Sequence, residues 1–183
     1  MSEERKARDL FLLDTLDQFE RASFDGSVWR AVREGRDVLQ ASAIGARWDP
    51  GSFDVLYTSL QREGALAELY FHLSRQPVFP SKIKFHLYRI KVHANKVLYL
   101  TRSLLEKLGI PSTIYPDLNY DRSQEIADVA YFLGFEGVVA PSARWNCSNL
   151  VLFWDRIGPA DIESEYHELV DWSAWKESRE GPT

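Results

Sequence analysis

Over residues 82–87 the chain alternates strictly, with Ile83, Phe85 and Leu87 on one face and Lys82, Lys84 and His86 on the other. A period of two marks a half-buried strand. Beyond Tyr88 the apolar positions become Ile90 and Val92, so the phase reverses. A bulge near Tyr88 and Arg89 is the expected device for such a reversal. Pro77 and Pro80 separate this strand from the segment before it.

Helices and shorter strands surround it. Residues 3–22 read as an amphipathic helix with Leu10, Leu13, Leu16 and Phe19 or Phe24 on one side. Residues 28–32 and 55–58 read as strands, with a glycine-marked loop over 35–51 between them. Residues 62–74 form a helix carrying a Leu66, Leu69 and Leu73 stripe. A strand over 97–100 leads to a helix over 101–108, closed by Gly109 and Pro111. A further helix over 121–133 has Asp121 as N-cap and Gln124 at the capping-box position. Strands follow over 137–140 and 150–154, and then a C-terminal helix with a frayed end. No regular βαβ rhythm emerges, so the expected class is α+β, a compact mixed sheet with flanking helices. Residues 1–25 are expected to be an N-terminal helical extension and residues 26–183 the main domain.

Composition narrows the function. Twenty-two Lys and Arg stand against 27 Asp and Glu, a net charge of -5. A nucleic-acid coat or a membrane-surface binder is normally basic overall, so neither partner is expected. Cys147 is the sole cysteine, which precludes an internal disulfide. With no secretory pattern in the first 20 residues, the expected location is cytoplasmic. Between Glu68 and Glu106 there is no acidic residue, whereas eight acids face three bases from Asp155 onward. A basic centre in an acidic chain can attract an anionic ligand, though a solvated strand face of lysines reads equally well. Phosphate-binding glycine loops, GxSxG, HExxH and CxxC are all absent, so no metal is expected and the chemistry falls to charges and hydroxyls.

Four places can carry that chemistry. Trp29-Arg30 and the loop Ala46-Arg47-Trp48-Asp49-Pro50 each offer a guanidinium beside a rigid tryptophan, as a bidentate phosphate clamp requires. Tyr57 precedes a helix on which Gly64, Glu68 and His72 lie four apart and share one face. Gly64 there would allow a ligand close to the helix, and a surface Glu–His pair is the plainer alternative. Asp121-Arg122-Ser123-Gln124 opens a helix and is either an anion site or a cap. Pro141-Ser142-Ala143, followed by Asn149, can project a serine into a cleft or merely satisfy a loop backbone.

Together, VWRAVRE at 28–34, ARWDPG at 46–51, VLYTSLQREGALAEL at 55–69, and the run from SQEIADVAYFLGFEGVVAPSARW to NLVLF resemble the RES-domain family. They span about two-thirds of the chain in the family's order, with the glutamate eleven residues after the tyrosine. The resemblance implies a fold similar to ADP-ribosyltransferases. It also implies an enzyme that degrades NAD by phosphorolysis or hydrolysis, acting as the toxin of a toxin–antitoxin pair. NAD is then substrate rather than cofactor, inorganic phosphate is a candidate co-substrate, and an antitoxin protein is the implied partner. Self-association is left open. A protein ADP-ribosyltransferase and an inactive partner-binding module are the alternatives.

The family's positions fall on Arg30, Arg47, Tyr57 and Glu68, with His72 at a further one. Ser142 or Ser123 is the site serine, Ser142 being preferred because Asn149 follows it as in the family. In this assignment Arg47, Glu68, Tyr57 and Ser142 are catalytic, and Arg30, His72, Ser123 and Asn149 bind substrate. One departure stands out. The family commonly has Gly-Gly-Arg-Trp-Asn-Pro where this chain has Gly45-Ala46-Arg47-Trp48-Asp49-Pro50, which sets a carboxylate beside the arginine and would weaken a phosphate clamp.

Overall fold

The computed structural model describes residues 7–180. Two long strands, β1 (Ala22–Arg33) and β3 (Phe85–Tyr99), pair antiparallel from Ala22↔Val97 to Arg33↔Phe85. Between them in sequence lie β2 (Val55–Ser59) and α2 (Arg62–Ser74), and α1 (Leu10–Asp17) precedes β1. After β3 come α3 (Arg102–Lys107), α4 (Asp121–Phe132), β4 (Gly137–Pro141), β5 (Ser148–Phe153), β6 (Ile162–Leu169) and α5 (Trp172–Glu180). The strand order is β1-β2-β5-β4-β3-β6, and the extra β1–β3 pairing closes the first five strands into a ring. Only β3 and β4 run parallel. The α+β expectation, a mixed sheet with flanking helices, describes this arrangement.

Three apolar clusters explain why β2, β4 and β5 are buried on both faces. Val28, Ile90, Val92, Leu150 and Leu152 fill one side of the ring. Leu12, Leu16, Ile126, Phe135 and Phe153 join α1 and α4 to the other. Ala65, Leu66, Leu87 and Trp175 pack α2 and α5 on the strands that carry Trp29. Leu87 and Ile90 thus belong to different clusters. The phase reversal in β3 reflects one strand burying each face in turn, and its pairing with β1 is unbroken there. The irregularity lies instead against β6, between Arg89 and Ile90, where Tyr166 and Ser164 are the partners and Glu165 is the extra residue.

Other expectations shift. The helix read over 3–22 is helical at Leu10–Asp17, with Asp9 as its N-cap, and residues 3–6 lie outside the described residues. Leu12 and Leu16 are fully buried in the main core, and the boundary expected at residues 25 and 26 falls within β1. The N-cap of α4 is Tyr120, not Asp121. Gln124 makes no capping box, because its amide donates to the carbonyls of Gly45 and Ala46 at 3.1 and 2.9 Å. β6 went unread as a strand because its edge position leaves IESEYHEL almost wholly exposed, without alternation. Among the described residues no helix is long and apolar enough to cross a membrane.

Candidate active site

The α2 helix meets the end of β2 and the β4–β5 loop at unusually short range. A Cβ on Gly64 would collide with Ser59 Oγ and lie 2.5 Å from Cys147 Sγ. The absent side chain therefore admits the protein's own Ser59 and Cys147, not a ligand. One turn further along, this approach delivers Glu68 to the loop. Glu68 Oε1 accepts from Ser142 Oγ at 2.6 Å and from Asn149 Nδ2 at 3.0 Å. Both bonds fall on one oxygen, and neither engages Oε2. Charge-assisted bonds of this kind hold a carboxylate strongly. Glu68 and His72 form no close ion pair among the described residues: His72 is exposed at the rim, edge-on to Phe71, where the Glu68 charge still reaches it.

Ser142 is fixed from several sides. Its hydroxyl accepts from the N–H groups of Arg144 and Trp145 at 3.1 and 3.2 Å, and its own N–H donates to the Cys147 carbonyl. Arg102 Nη2 donates to its carbonyl. Ser123 sits elsewhere. It is buried in the first turn of α4, donates to the Tyr120 carbonyl, and does not line the cleft.

Glu68 lies on the wall of a cleft of about 460 Å³ whose lining also includes Arg30, Arg47, Tyr57, His72, Tyr115, Tyr120, Arg144 and Asn149. Arg30 lies midway along β1 and is held by the carbonyls of Tyr57 and Gln40. Its buried Nε has no partner, and burial draws its pKa down to about 10, so it is still charged at neutral pH. Arg47 lies over the rings of Tyr115 and Tyr120, 4.5 and 4.7 Å from their centroids. The Tyr57 hydroxyl accepts from Trp48 N–H at 2.7 Å, and burial pushes its phenol pKa far above the usual value. Its visible task is to anchor the arginine loop. Asn149 Oδ1 is buried and unpartnered, an unused acceptor beside the carboxylate.

The Asp49 carboxylate does not engage Arg47. It is fully buried and accepts from the N–H groups of Gly45 and Gly51, which ties the loop's ends together around Arg47. Gly45 adopts a φ of 81°, a conformation natural to glycine in that turn. Among the described residues no group of three His, Cys, Asp or Glu side chains is placed to hold a metal ion.

Sequence reasoning missed Tyr115, Tyr120 and Arg144. The two tyrosines flank a Pro-Asp pair in an irregular segment without periodicity, and Arg144 lay inside a quoted motif where only the serine was weighed.

A chain of the M. tuberculosis MbcT–MbcA toxin–antitoxin complex, solved by crystallography, has a similar fold with a TM-score of 0.80. At 23% identity the likeness covers 95% of this chain and all of that one. No curated protein sequence matches. The RES domain profile matches residues 20–173, which include every element from β1 to β6 and every residue of the site just described, so this chain belongs to the RES-domain family.

Proposed function

We propose that this protein cleaves the bond between nicotinamide and ribose in NAD, acting as a toxin that a partner protein restrains. One observation carries the reading: a single carboxylate, Glu68, is fixed by Ser142 and Asn149 on the wall of a cleft that also holds three arginines and five tryptophan or tyrosine rings. Breaking the C1″–N bond sends its electron pair out with nicotinamide, a neutral leaving group, and leaves an oxocarbenium-like ribose. An anionic carboxylate beside that centre favours the transition state over the ground state. Arg30 and Arg47 supply the positive field for the pyrophosphate, while Tyr115 and Tyr120 offer ring surfaces. Asn149, on the cleft wall, orients the carboxylate through its Nδ2.

The acceptor defines the product. Attack by a phosphate oxygen gives ADP-ribose 1″-phosphate and nicotinamide, and attack by water gives ADP-ribose, nicotinamide and a proton. Family membership supports NAD as substrate, and the fold shared with a chain from a toxin–antitoxin complex supports a restraining partner. The cytoplasm, where NAD is available, is the proposed setting. Phosphorus NMR of NAD incubated with the protein, with and without inorganic phosphate, tests the reading. A new phosphomonoester signal that requires phosphate identifies phosphorolysis, and ADP-ribose in both tubes identifies hydrolysis. Intact NAD in both, with the protein folded and free of partner, overturns the proposal.

A further inference from the structure

Four arginines surround the Ser142 loop and the cleft, and each is held only by backbone carbonyls: Arg30 by Tyr57 and Gln40, Arg47 by Asp117, Arg102 by Ser142, and Arg144 by Pro116. None of them has a carboxylate within ion-pairing distance among the described residues. Elsewhere the arginines at 8, 21, 62, 89 and 122 form ion pairs, whereas those at 33, 36, 75, 156 and 179 have none among the described residues. Three of these unpaired guanidiniums, those of Arg30, Arg47 and Arg144, line the same cleft.

Two of the four reach the same loop. Arg47 Nη2 and Arg144 Nη2 donate to the carbonyls of Asp117 and Pro116, neighbours in one loop, at 3.2 and 2.8 Å. Each guanidinium also lies on an aromatic face, Arg47 on Tyr115 and Tyr120, and Arg144 on Phe71 at 3.4 Å. Burial lowers the pKa of Arg144, the Glu68 carboxylate opposes that shift, and the charge of Arg47 adds to it. Like charges brought near one another repel, and an anion between them would relieve that cost. The Glu68 charge reaches Arg144, but the carboxylate is held by Ser142 and Asn149 and forms no ion pair with either arginine among the described residues. A guanidinium presents five N–H donors in a fixed fork, and one bond to a carbonyl leaves donors for an oxyanion.

We propose that Arg144 is a substrate-binding residue which, with Arg47, forms a paired-guanidinium seat for a phosphoryl group at the mouth of the cleft. This deepens the NAD-cleaving reading and rests on it for the ligand's identity. The seat would take either a phosphoryl group of the NAD pyrophosphate or a free inorganic phosphate, two sources of the same chemistry.

Calorimetric titration of the intact chain with ADP-ribose and, separately, with inorganic phosphate tests this without any need for turnover. Arg144→Ala is expected to weaken the bound anion by about ten- to a hundredfold, the range for one charge-assisted contact. Arg144→Lys keeps the charge without the fork and should recover part of that loss. Arg75→Ala, which removes a guanidinium stacked on the same Phe71 from outside the cleft, should bind as wild type. A loss confined to ADP-ribose assigns the seat to the pyrophosphate, and a loss confined to phosphate assigns it to the co-substrate. Unchanged binding of both ligands by a folded Arg144→Ala protein overturns the proposal, as does a wild-type chain that binds neither. Binding that depends on Arg144 in a protein that leaves NAD intact would instead retain the seat and discard the NAD-cleaving reading.

Discussion

Gly64→Ala separates a positional role from an ordinary helix substitution. In an exposed helix, alanine in place of glycine is worth about 1 kcal/mol of added stability. Here the new methyl would lie 2.5 Å from Cys147 Sγ, and closer still to Ser59 Oγ. Ordinary contact begins near 3.5 Å, so α2 must withdraw by about 1 Å or both side chains must rotate. Ser59 is buried and its hydroxyl accepts from Gln61 N–H, so rotation forfeits a bond at the start of α2. Overpacking of this kind costs about 1–3 kcal/mol. After the propensity gain the net loss is about 1 kcal/mol, or roughly 2–4 °C in a domain this size. Activity should suffer more. A withdrawal of about 1 Å breaks the 2.6 and 3.0 Å bonds that position Glu68, and misplacement on that scale costs about a hundredfold in rate. Thermal unfolding and nicotinamide release, measured on the same preparation, check both numbers. Adding Ser59→Ala and Cys147→Ala opens the space and should return most of the rate. A single Gly64→Ala variant that is more stable than wild type and equally active would refute the argument.

Three further outcomes follow from the geometry. Tyr57→Phe leaves the Trp48 N–H without its acceptor, so stability should fall by about 1–3 kcal/mol in a denaturant titration. Gln124→Ala frees the carbonyls of Gly45 and Ala46, and should raise KM for NAD several-fold through a looser Arg47 loop while kcat changes little. Burial raises the pKa of Cys147 above its usual value of 9.0, so its thiolate is scarce at neutral pH and grows only as pH climbs past that value. Alkylation by iodoacetamide near pH 8 should therefore run much slower than that of a free thiol, and equal rates would contradict this burial.

The legible parts of the sequence were those where one local rule decided the outcome. Residues 62–74 are helical at the expected bounds because a leucine stripe and good helix formers agree. β2, β4 and β5 were readable as short apolar runs. Where tertiary context decides, the sequence was silent or pointed elsewhere. β6 is polar because it is an edge, and the reversal in β3 records two buried faces instead of a bulge in its own backbone. The site residues Arg30, Arg47, Tyr57, Glu68, His72, Ser142 and Asn149 were named from a resemblance, and all of them border one cleft or its Ser142 wall. Ser123 does not. Periodicity alone could not separate the two serines, because both follow plausible loop or capping positions. The fate of Asp49 was equally hidden, since its partners Gly45 and Gly51 are backbone donors that no side-chain pattern reveals.

The central claim is that Glu68 stabilises a developing positive charge on ribose. Glu68→Gln keeps the size and an acceptor for Ser142 and Asn149 while removing the charge. A unit charge about 4 Å away contributes about 4 kcal/mol at an effective dielectric near 20, close to a thousandfold in rate. Nicotinamide release from NAD by wild-type and Glu68→Gln protein, measured with and without inorganic phosphate, tests it directly. The account predicts turnover by the wild type and a loss of about a thousandfold in the variant, with its thermal midpoint nearly unchanged. Equal NAD consumption by the two proteins would contradict it.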